Sequence, residues 1–69
     1  MRPLPKACYW IDTPELSALR YNYRVVGVVT LRQGGWVIEG YGHHGFTAPA
    51  PSRERGKRYL GQWYAARLR

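Results

Sequence analysis

One stretch leaves this chain few choices. From residue 21 to residue 32 the side chains alternate. Tyr21, Tyr23, Val25, Gly27, Val29 and Leu31 fall on one side, and Asn22, Arg24, Val26, Val28, Thr30 and Arg32 on the other. Successive side chains of a strand point to opposite faces, so period two in a run rich in β-branched and aromatic residues specifies a strand. Gln33-Gly34-Gly35-Trp36 follows. Paired glycines tolerate the positive φ that a type I′ turn requires at both central positions. The stretch predicts a hairpin over about residues 21–42. Closure on Gly34-Gly35 sets Leu31 opposite Ile38 and Val29 opposite Gly40, with Arg32 opposite Val37, Thr30 opposite Glu39 and Val28 opposite Tyr41 on the other face. The first face carries no charge and is the expected core. A slip of one residue would bury Arg24, Arg32 and Glu39, which argues against it.

The second face is more apolar than a solvated face needs to be. Val26, Val28, Val37 and Tyr41 stand among Arg24, Arg32 and Glu39. Cover by the N-terminal segment is the favoured expectation, and cover by a partner is the other.

Sixty-nine residues suit one small basic domain, residues 1–69, near the lower limit for independent folding. Three Trp, six Tyr and one Phe supply the core, since each aromatic buries roughly 150–250 Å². A homodimer would enlarge that core. Eleven Lys and Arg against four Asp and Glu give a formal charge of +7, and nine of the eleven are Arg. Arginine forks onto phosphate and stacks on planar groups. The balance favours a polyanion or an acidic protein as partner. Cys8 is alone, which leaves no internal disulfide and no cysteine-based metal site. No run is apolar and long enough to span a membrane or act as a secretory signal, so no membrane role and a cytoplasmic location are expected.

Residues 1–6 hold Arg2, Pro3, Pro5 and Lys6, which predicts a flexible, extended basic arm. Residues 7–11 form a short apolar run suited to an edge strand. Thr13-Pro14-Glu15 has the residues of a helix start, an N-cap followed by proline at the first helical position, and predicts a short helix over residues 14–20. His43 and His44 lie between glycines in a loop, with too few partners to complete a metal site. Phe46-Thr47-Ala48 offers a short third strand that Pro49 and Pro51 would end. Ser52 is a good N-cap, and a helix is expected over residues 53–68, laying Tyr59, Leu60 and Trp63 on the uncharged hairpin face. The fold class is therefore α+β. A small antiparallel sheet of two to three strands packs against a C-terminal helix, with a short N-terminal strand and helix in addition.

Arg53, Arg55, Lys57 and Arg58 fall within six residues, opposed by Glu54. Cations at a helix N-terminus face its positive end, each unfavourable by roughly 0.3–1 kcal/mol at low salt. A phosphate there would meet free backbone N–H groups and these side chains together. Arg24 and Arg32 extend the basic surface if the outer hairpin face is open. A two-stranded ribbon of that kind can enter the DNA major groove, or Tyr41 on it could instead stack on an unpaired base. No catalytic constellation stands out. Asp12, Glu15, Glu39 and Glu54 form no evident pair, nothing sets Cys8 beside His43 or His44, and Gly34-Gly35 is not followed by a phosphate-loop lysine. Neither enzymatic activity nor a cofactor is expected.

Tyr23-Arg24-Val25-Val26-Gly27-Val28, then Gly34-Gly35-Trp36-Val37-Ile38, Gly45-Phe46-Thr47, and a helix with Tyr59-Leu60 and Trp63-Tyr64-Ala65-Ala66 are faintly similar to three-stranded-sheet-plus-helix DNA-binding domains, the integrase arm among them. Such domains lay the sheet in the major groove. Here Trp36 to Phe46 is short for a full third strand, and the helix start is more basic than that pattern implies. The chain is not assigned to that family.

The expected function is nucleic-acid binding, to duplex DNA through phosphate contacts. Arg53, Arg55, Lys57 and Arg58 would carry affinity, with Arg24 and Arg32 assisting. The alternative is a protein-interaction module, a small inhibitor or adaptor or a homodimer, using Val26, Val28, Val37 and Tyr41.

Overall fold

The structure, a computed structural model, describes residues 7–67. The basic arm expected over residues 1–6, and the last expected helical residue, lie outside that range. Five strands follow one another as β1 (Cys8–Thr13), β2 (Leu16–Tyr21), β3 (Arg24–Arg32), β4 (Gly35–Gly40) and β5 (Phe46–Ala50). They form one antiparallel sheet in chain order, and α1 (Arg53–Arg67) packs across one face. The α+β class and the C-terminal helix stand, but the sheet has five strands rather than two or three.

The helix expected over residues 14–20 does not form. Those residues enter β2 instead. Pro14, with φ fixed near −65°, suits the first position of a helix and the second position of a β-turn equally. Here Thr13 and Leu16 pair across it, and the Thr13 hydroxyl donates to the Leu16 carbonyl at 3.3 Å. Pairing on both edges, with β1 and β3, outweighs what a helix this short can supply alone.

The β3–β4 hairpin forms, but two residues out of the expected register. Leu31 pairs with Trp36, Val29 with Ile38, Val28 with Glu39 and Gly27 with Gly40. The loop is Gln33-Gly34, with φ of 96° at Gly34. A positive φ at the second loop residue is the type II requirement, whereas type I′ needs it at both. A shift of two keeps every side chain on its expected face, so hydrophobic patterning could not detect it.

Register defines two rows across the inner face. Asp12, Ser17, Val29, Ile38 and Ala48 form one, and Trp10, Leu19, Gly27, Gly40 and Phe46 the other. The adjacent glycines leave a trough, and α1 settles into it. A Cβ on Gly27 would stand 2.8 Å from a Leu60 methyl, and one on Gly40 would stand 2.8 Å from the Trp63 ring. Higher on the helix, a Cβ on Gly56 would stand 2.7 Å from Val29 Cγ1. Leu19, Val29, Ile38 and Leu60 form the buried core, with Trp10, Trp36, Phe46, Trp63 and Tyr64 packed around it. Tyr59, expected in the core, is exposed, its ring edge-to-face with Phe46 and the ring centres 5.7 Å apart.

A bulge breaks the alternation of β3. Leu19 pairs with Gly27 and Arg20 with Val25, so Val26 is the extra residue. This ends the uncharged face early. Val25 is exposed, Tyr23 sits at 89% exposure in the β2–β3 turn, and Val26 packs against the core. β5 runs through Pro49, which lies on the sheet edge where no N–H is needed. Ser52 caps α1, its Oγ accepting from the Arg55 N–H at 3.1 Å.

Candidate nucleic-acid interface

The four clustered cations divide by helical geometry. Positions 53 and 57 are one turn apart and share a side, whereas 55 and 58 point the other way. Arg53 lies over the Trp36 ring at 4.6 Å and donates through Nη2 to the Pro14 carbonyl. Lys57 Nζ meets Asp12 Oδ1 at 3.0 Å and Oδ2 at 3.2 Å, and lies 4.9 Å from the centre of Trp10. Together they latch the helix N-terminus to the β1–β2 hairpin. Arg55 and Arg58 are exposed, and among the described residues their guanidiniums join no ion pair or hydrogen bond. The cluster is therefore half structural and half free.

The latch has an acid-sensitive member. The Ser17 hydroxyl, opposite Asp12 in the ladder though without a hydrogen bond of good geometry to it, and then the Lys57 ammonium, which does bond it, hold the Asp12 carboxyl below the ordinary aspartate range. The folded pKa is depressed, so this contribution is fully present above the unfolded value, about 3.9. It is lost as pH falls through the lower folded value. A carboxyl-carbon NMR titration should give Asp12 a low midpoint that Lys57→Met raises only in part. A full return to the ordinary value in that variant would leave Ser17 no role.

Arg24 and Arg32 are not brought together. Arg32 Nη2 pairs with Glu39 Oε1 at 2.7 Å on the outer face. Arg24 lies beyond the bulge and lines a recess of about 310 Å³ at the far end of α1, with Tyr21, Tyr41, His43, Tyr64 and Arg67. Of the expected neighbours, Arg24 and Tyr41 meet at this recess while Arg32 lies apart, and a groove-reading ribbon built on all three does not assemble. Tyr64 and Arg67 were not among the expected site residues. Their signal, an aromatic and a cation in the last helical turn, acquires meaning only when the bulge sets Arg24 beside them.

The outer face carries the rows Ile11, Ala18, Val28, Glu39, Thr47 and Thr13, Leu16, Thr30, Val37, Pro49. Residues 7–13 do not cover it, since β1 joins the sheet edge, and the rest of the N-terminal segment lies outside the described residues. No described element lies over this face. Val28 is nonetheless buried by its neighbours, Val37 is half-buried, and Ile11 is exposed. Of the four expected interface residues, Val28 and Val37 share this face, Val26 packs against the core, and Tyr41 lines the recess.

No described helix is long and apolar enough to cross a membrane. No protein-family model matches the chain, and no curated protein or solved structure matches it.

Proposed function

We propose that the protein is a small nucleic-acid-binding domain that acts through phosphate contacts, with duplex DNA the first polyanion to test. The supporting observation is charge left unspent. In a chain of net charge +7, Arg24, Arg55 and Arg58 are exposed, and among the described residues their guanidiniums form no ion pair. Arg53 and Lys57 contribute by holding the helix, and Arg32 is neutralised by Glu39. The affinity of such a surface should fall steeply with salt, because each phosphate neutralised adds about −0.9 to the log–log slope for duplex DNA.

Fluorescence anisotropy with a mixed-sequence duplex over a salt series tests this. Arg55→Gln with Arg58→Gln should flatten the slope by about 1.8 and weaken binding without altering the fold. Absence of binding at low salt would sink the reading. The outer face, over which no described element lies, supports a second reading, a protein-interaction surface that in its simplest form pairs two copies. Sizing of the same samples decides that form, since a strict monomer removes the homodimer.

A further inference from the structure

The recess at the C-terminal end of α1 has a composition that packing does not explain. Arg67 has a structural reason to be there. It lies in the last turn of the helix, where carbonyl groups favour a cation, and it covers Trp63 at 4.8 Å. Arg24 has no such reason. It is exposed, forms no ion pair or hydrogen bond among the described residues, and stands in a like-charged recess with Arg67. None of the four Asp and Glu side chains lines that recess. Asp12 and Glu39 are paired elsewhere, Glu15 lies in the β1–β2 turn, and Glu54 is in the first turn of the same helix.

The rest of the lining is three tyrosines and His43, with Val25, Val26 and Gly42 between them. Tyr21 and Tyr64 contact each other, with ring centres 5.9 Å apart. Burial, with Cys8 and Tyr21 adding to it, pushes the Tyr64 hydroxyl above its ordinary value, so it stays a neutral donor through neutral pH. Tyr41 is 45% exposed on the rim, its backbone fixed by an N–H bond to the Val26 carbonyl at 3.0 Å. Gly42, at φ 108°, turns the chain there and brings His43 to the same rim. The volume, about 310 Å³, lies at the lower end of the range for small-molecule pockets.

We propose that this recess binds an unpaired nucleotide, the base stacking on tyrosine and the phosphate held by Arg24 and Arg67. The proposal rests on the nucleic-acid reading above and adds a strand type to it. A duplex offers phosphates but keeps its base faces stacked. A single strand or an overhang offers both, and aromatic platforms beside cations are how single strands are held without sequence preference. The negative end of the helix opposes an anion here, so two arginines, rather than helix N–H groups, must supply the attraction.

The test is a heteronuclear NMR titration of the full chain at low salt. Three probes are used: a six-nucleotide oligothymidylate, a mixed-sequence duplex and an acidic peptide. The oligothymidylate should shift Tyr41, Gly42, His43 and Tyr64. Tyr41→Ala should weaken its binding roughly tenfold. Arg24→Gln should flatten its salt slope by about 0.7. Both side chains are exposed, so an unchanged spectrum elsewhere confirms that each variant is folded. Shifts confined to the helix surface around Arg55 and Arg58 would overturn the recess while leaving nucleic-acid binding intact. No response to either nucleic acid would overturn both. A recess that responds to the acidic peptide and not to the oligothymidylate would overturn the proposal in favour of a protein partner.

Discussion

Leu60→Ala should unfold a substantial fraction of the protein. Leu60 is fully buried, seated over Gly27 at the centre of the only helix among the described residues. Truncating a buried leucine typically loses about 2–5 kcal/mol, from transfer plus the cavity left behind. Stabilities of roughly 0.05–0.15 kcal/mol per residue place a chain of this length at about 3–10 kcal/mol in total. The trough floor beneath Leu60 is Gly27, which has no side chain to fill the space, so the upper part of the loss range applies. Urea unfolding followed by tryptophan fluorescence should show a midpoint lowered by about 2 M or more. A shift below about 0.5 M would mean that the helix is held chiefly at its ends, by the Arg53 and Lys57 latch and by Trp63.

Gly27→Ala should also be damaging, for the opposite reason. The added carbon would stand 2.8 Å from the Glu39 carbonyl oxygen and 2.8 Å and 2.9 Å from the two Leu60 methyls. The carbonyl belongs to the adjacent strand and cannot retreat without disturbing the ladder. Leu60 is already enclosed. Overpacking of this kind costs about 1–3 kcal/mol, occasionally more. Thr47→Ala, on the exposed outer face, should stay within about 0.5 kcal/mol and serves as the control. Equal midpoints for the two variants would show that both the Glu39 backbone and α1 give way at little cost, and that the trough is not a tight seat for the helix.

The parts of this architecture that could be read in advance are those written locally. The β3–β4 hairpin follows from period-two patterning around Gly34-Gly35. The helix start follows from Ser52, whose side chain caps the helix as its residue type suggests. The helix expected over residues 14–20 gives way to β2 because Pro14 serves a turn as well as a helix, and ladders on both edges of β2 decide between them. The register of β3 on β4 escaped because a two-residue shift leaves the faces unchanged. The candidate site was hidden for a related reason. One bulge residue, Val26, separates Arg24 from Arg32, and no periodicity announces a bulge. Asp12 and Lys57 are forty-five residues apart in the chain, so nothing local marks that cation as a latch rather than a free charge.

The connectivity of the sheet has a kinetic corollary. Each strand pairs only with its chain neighbours, and three of the four links, residues 14–15, 22–23 and 33–34, are two residues long. Short loops close at small entropic cost, so the sheet can zip along its length early and quickly. α1 follows all five strands, and until it docks the sheet presents Leu19, Val29 and Ile38 to water. If the sheet does precede the helix, Leu60→Ala will mostly accelerate unfolding and leave the folding limb of the chevron almost unmoved. The interval before docking is then the chain's moment of greatest exposure to aggregation, and its length is set by how fast one helix finds a trough two glycines wide.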